Sequence, residues 1–177
     1  MLAEATSGAS SIILLLFLSI AVATDVVQHR ISNLLIVMML SCGLVLAAGL
    51  LQMAGFVAAL QGALVGFLIL IPFYAIGGMG AGDVKLLAAI GTFLGPWGVL
   101  VAGILALGLG GILGLGVILW RNVARGPLPE SLSVPPAQPG AESSLTLPYA
   151  VAIAAGTVAA IFGFDAFVVS WSAVAVL

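Results

Sequence analysis

Charge is almost missing from this chain, and that limits its fold more than any motif does. Only 6% of the 177 residues are charged, while 63% are apolar, and the mean hydropathy is +1.38. A water-soluble domain carries about a quarter charged residues. The apolar runs also exceed the roughly 20 residues that cross a bilayer as a helix. An all-α integral membrane protein is therefore expected, with a single domain over residues 1–177 and no room for a separate soluble module. Four Lys/Arg and a net charge of -2 argue against nucleic acid or any other polyanion as a partner. Membrane lipid is the partner that composition implies. Cys42 is the single cysteine, so neither a disulfide framework nor a thiolate metal site can form within one chain.

Residues 12–23 end in Ala21-Val22-Ala23 and look like a signal-peptidase site. A signal peptide needs a positive n-region, and the only charge before this run is Glu4. Residues 10–27 are therefore expected to be a retained span.

Polar, Pro and Gly punctuation predicts about six transmembrane helices: 10–27, 32–51, 55–76, 83–95, 97–120 and 147–171. The fourth is short and stops at Gly95-Pro96, where proline breaks the hydrogen-bond ladder. A polar loop, 121–146, contains five prolines and reads as a flexible connection. No internal repeat is evident, so an inverted-repeat transporter has no support. His29, Arg30, Lys85, Arg121 and Arg125 all fall on alternate connections, while those around Gln52 and Pro96-Trp97 have no Lys or Arg. The positive-inside rule makes the basic side cytoplasmic, with both termini outside the cytoplasm. Glycine pairs at four-residue spacing (Gly62/Gly66, Gly91/Gly95 and Gly110/Gly114) read as close helix packing.

Within this apolar background, Asp25 closes the first span and Asp83 opens the fourth. Ionisable groups in membrane-embedded sequence are costly and by default mark functional sites. The derived topology puts both carboxylates at the cytoplasmic boundary, so spans one and four need only be neighbours for the two to meet. Two carboxylates a few ångströms apart cannot both ionise easily, so the pair holds one proton between them. Such a pair suits activation of water. Asp83 ends the tetrapeptide Gly80-Ala81-Gly82-Asp83, and Gly77, Gly78, Gly80 and Gly82 together predict a bent backbone that an extended peptide could approach closely.

Plainer roles exist for each residue. Asp83 could simply cap its helix at the positive end of the dipole, and Asp25 could be a helix-end residue solvated at the headgroups. Lys85 either snorkels to the interface or partly neutralises Asp83. His29 reads as an interfacial polar group, Arg30 as a topology determinant and headgroup contact, and Ser32 and Asn33 as caps of the second helix. Asp165 lies towards the opposite face and is excluded from the site. Glu4, Glu130 and Glu142 carry no signal.

An aspartate after the first span, then Arg30-Ile31-Ser32-Asn33, then Gly80-Ala81-Gly82-Asp83-Val84-Lys85, resembles the GxGD aspartic prepilin peptidases, the leader peptidases of type IV pilins and pseudopilins. Leu147-Pro148-Tyr149-Ala150 is similar to the family's Pro-Tyr segment. Position 32 is Ser where the family often has Pro. The long bifunctional members carry paired Cys-x-x-Cys motifs and also methylate the pilin. This chain lacks them, so it resembles the short, peptidase-only type of Flp (tight-adherence) systems, and methyltransferase activity is not expected.

The resemblance implies removal of a short basic leader from a prepilin or pseudopilin, after a glycine, at the cytoplasmic face of a bacterial inner membrane. Asp25 and Asp83 would be the catalytic pair, titrating as a unit so that base and acid are not assignable individually. Gly80, Gly82, Lys85, Arg30 and Asn33 would support the loop or the substrate. No metal or cofactor is called for. Two other classes remain open: a proton- or ion-coupled carrier with relay carboxylates, and a non-catalytic membrane subunit with structural aspartates. The sequence does not fix the oligomeric state.

Overall fold

The computed structural model describes residues 2–28, 32–125 and 149–163, and all of its regular structure is helical. The elements are α1 (Leu2–Gln28), α2 (Asn33–Ala75), α3 (Ala81–Arg125) and α4 (Tyr149–Gly163). α1, α2 and α3 each contain a stretch long and apolar enough to cross a membrane. The protein is therefore an all-α membrane protein.

α2 has 43 residues and α3 has 45. At 1.5 Å per residue, either would run about twice the roughly 30 Å hydrocarbon thickness if straight. Neither is straight. α2 loses helical geometry at Leu51 and Gln52, and α3 loses it at Gly95, just before Pro96.

Close approaches show that both elements double back. A Cβ built on Gly43 would land on the Thr92 side chain, and one on Gly62 would land on the Gly91 carbonyl. Residues 43 and 62 thus flank the same stretch of α3, which requires α2 to reverse around Gln52. Likewise, a Cβ on Gly66 would meet the Leu87 carbonyl at 2.6 Å and Val99 at 3.0 Å, and one on Gly103 would meet Leu87 and Ile69 at 3.3 Å. α3 therefore reverses at Gly95, whose φ of 69° suits glycine. Gly62, Gly66 and Gly91 act as expected: without side chains at 62 and 91, two helix backbones touch, whereas Gly95 is the break itself and Gly110 makes room for the Tyr149 ring.

The first arm of α3 is the centre of the bundle. Val84, Leu86, Leu87, Ala88, Ala89 and Ile90 are all buried, as expected of a helix covered on every side. α2 wraps one side of it. α4 packs on α3 too, with Gly156 set against Ala102 and Ala106. α1 leans on the bundle through Leu14, Leu18 and Ala21 and exposes Ile12, Leu16 and Ile20 on its other face. Hydroxyls inside the helices bond their own backbone: Thr92 Oγ1 donates to the Ala89 carbonyl, and Thr157 Oγ1 to that of Ile153, both at 2.7 Å.

Several expected boundaries shift. α1 starts at Leu2 rather than near residue 10, and α3 continues to Arg125, into the stretch expected to be loop. Hydropathy marks where a helix enters lipid, whereas a helix continues for as long as its backbone ladder is unbroken. Ser32 does occupy the N-cap position of α2, but its side chain makes no capping hydrogen bond. Loop residues 126–146 and the end of the sixth expected span, with Asp165, lie outside the described residues.

Two outcomes are expected in detergent melting. Gly91→Val should destabilise by about 2 kcal/mol or more, because it overpacks a backbone contact, while Gly111→Ala, which faces open space, should be neutral or slightly stabilising. Among the described residues, Gln52 is the non-glycine residue with positive φ, at 51°. Gln52→Gly should therefore stabilise the chain by about 1 kcal/mol.

Candidate active site

Asp25 reaches the bundle because of helical spacing. Leu14, Leu18 and Ala21 form the buried face of α1, and a further step of four residues brings Asp25 onto that face. Thr24, beside it, donates to the carbonyls of Ile20 and Ala21. Asp25 is half-buried three residues before the last residue of α1.

Asp83 is presented by the connection between α2 and α3. α2 ends in a Schellman motif: Gly77 adopts φ 74°, its N–H donates to the Tyr74 carbonyl at 2.9 Å, and the Gly78 N–H donates to that of Phe73 at 2.9 Å. This satisfies the last carbonyls of α2 and turns the chain sharply toward Gly80. α3 begins at Ala81, so Asp83 is the third helical residue rather than the cap. Its N–H donates to the Gly80 carbonyl at 3.2 Å. A Cβ on Gly80 would sit 3.5 Å from Asp83 Oδ2, so the carboxylate folds back over the glycine loop. Gly80 is exposed and Gly82 is half-buried, so the loop is open to an incoming chain.

The two aspartates come from helices far apart in sequence, yet they lie within electrostatic reach of each other. Tyr149, the first residue of α4, lies within reach of Asp83 as well. Its ring and hydroxyl fill the notch left by Gly110: a Cβ there would meet Tyr149 Cζ and Oη at 2.5 Å. The reversal of α3 at Gly95 makes this possible, because it returns Gly110 to the level of Asp83. Sequence reasoning gave Tyr149 no place in the site. A tyrosine beside a proline at the edge of an apolar span is also what any membrane interface offers.

Of the supporting residues, Asn33 and Lys85 are brought together: Lys85 Nζ donates to Asn33 Oδ1 at 3.1 Å. Lys85 thus engages an amide at the start of α2. His29 and Arg30 lie outside the described residues. Among the described residues, no group of three or more His, Cys, Asp or Glu side chains is placed to hold a metal ion.

No curated protein and no solved structure matches this chain. The family model for the type IV leader peptidase family matches residues 12–115, an interval that includes Asp25, Asp83 and the glycine loop between α2 and α3. That is well over half of the sequence, and the chain belongs to the type IV leader peptidase family.

Proposed function

We propose that this protein is a membrane-embedded aspartic endopeptidase in which Asp25 and Asp83 together activate water to remove the leader of a Flp-type prepilin or pseudopilin. The observation that carries the reading is the electrostatic closeness of two carboxylates from α1 and α3. One of them lies in the first turn of α3, just after an exposed glycine that a peptide can approach. In this reading α1, both arms of α2, both arms of α3 and α4 each cross the bilayer. The basic connections face the cytoplasm and both termini face outward, in a bacterial inner membrane.

The chemistry follows from a pair holding one proton. The charged carboxylate takes a proton from water, and the resulting hydroxide oxygen bonds to the scissile carbonyl carbon. The protonated carboxyl donates to the carbonyl oxygen as negative charge builds there. Collapse of the tetrahedral species breaks the C–N bond, and the leaving amine takes a proton back from the pair. The two carboxylates exchange roles during the cycle, so neither residue is the fixed base. The absence of Cys-x-x-Cys pairs supports peptidase activity without methyl transfer.

The test is co-expression with a Flp-type prepilin and measurement of the pilin's mass. The unaltered chain should remove the leader and add no methyl group. Asp25→Asn and Asp83→Asn keep shape and most hydrogen bonding, and each should lower cleavage by about 10³-fold or more. Cleavage surviving at near-normal rate in either variant would eliminate the paired-carboxylate mechanism, and a methylated product would eliminate the peptidase-only assignment.

A further inference from the structure

The hydrogen bond from Lys85 Nζ to Asn33 Oδ1 spans 52 residues of sequence. Asn33 is the first residue of α2 and follows the connection that leaves α1 just after Asp25. Lys85 is two residues beyond Asp83. On a helix, residues two apart point to different sides, so the ammonium is carried away from the Asp83 carboxylate and toward the first residue of α2. Both partners are exposed, so the bond sits at the edge of the site rather than in the core. It closes a short ring through the chain: Asp25, the connection, Asn33, Lys85, Asp83.

We propose that Asn33 and Lys85 are positioning residues, a latch that fixes the Asp83 end of the central arm relative to the segment carrying Asp25. The inference rests on the paired-aspartate reading above. Neither side chain touches the reacting atoms. The amide oxygen is a suitable partner, since it holds the ammonium by a charge-assisted hydrogen bond without adding a third carboxylate beside the pair. The central arm is buried along its length, so its sideways position is set by packing. Its end, which leaves the core at an exposed glycine loop, needs a separate restraint.

The experiment measures kcat and KM for prepilin cleavage with purified full-length chain in detergent, and melting of each variant alongside. Asn33→Ala and Lys85→Met should each lower kcat roughly tenfold with KM within about twofold and melting unchanged. The double variant should be no slower than the single ones, because both remove the same bond. Lys85→Arg, which keeps a donor, should stay near the unaltered rate. Additive losses, losses expressed in KM, or no loss at all would each overturn the latch while leaving the peptidase reading intact. If either truncation fails to accumulate, Lys85→Leu against Lys85→Arg decides alone: a kcat loss confined to Leu, which has no donor, supports the latch, and equal behaviour overturns it. A prepilin left uncut by the unaltered chain would overturn the peptidase reading and the latch with it.

Discussion

The contact of two bare backbones, Gly62 against Gly91, is the constraint on which the rest of this molecule depends. In lipid there is no hydrophobic gain from pressing one apolar helix on another, so close van der Waals packing has to hold helices together. Small residues at 62, 66 and 91 let α2 and α3 approach until main-chain atoms touch. That approach places the short arm of α3 in the centre of the bundle, and its position decides where Asp83 emerges. The rest of the site is local: a Schellman turn that aims the chain, a glycine loop that leaves room, and an inward face of α1 that brings Asp25 alongside.

The sequence revealed the helices better than their arrangement. Apolar length and scarce charge were enough to predict an all-α membrane protein. The breaks at Gln52 and Gly95-Pro96 fell where polar or Pro/Gly punctuation put them. Which helix lies at the centre could not be read, because core-facing and lipid-facing positions are both apolar in a membrane. The short arm of α3 carries Leu, Ala and Ile much like its neighbours, and only the structure shows it covered on all sides. Helix ends were misread for a related reason. Hydropathy falls at residue 120, but nothing there stops the hydrogen-bond ladder, and α3 continues to Arg125.

The site was readable where chemistry is rare. Two carboxylates in such a sequence stand out, and Gly80-Ala81-Gly82-Asp83 gave one of them a context. Asn33 and Lys85 were visible as polar residues, but their bond to each other was not, since sequence carries no sign of which distant polar groups meet. Tyr149 went unassigned because its place depends on the reversal of α3, which returns Gly110 to the level of Asp83.

That reversal has one further consequence. The two arms of α3 are unequal: about 14 residues precede Gly95, while 30 follow it. The longer arm overshoots the carboxylates, and past Gly110 it exposes Ile112, Leu113, Leu115, Leu119 and Trp120. Surface of that kind is at home in acyl chains, with tryptophan suited to their boundary with the headgroups. Leu119 lies roughly 14 Å along the helix axis beyond Gly110. The long arm of α3 thus carries an apolar face past the level of Tyr149, and such a face calls for lipid or another apolar surface rather than water.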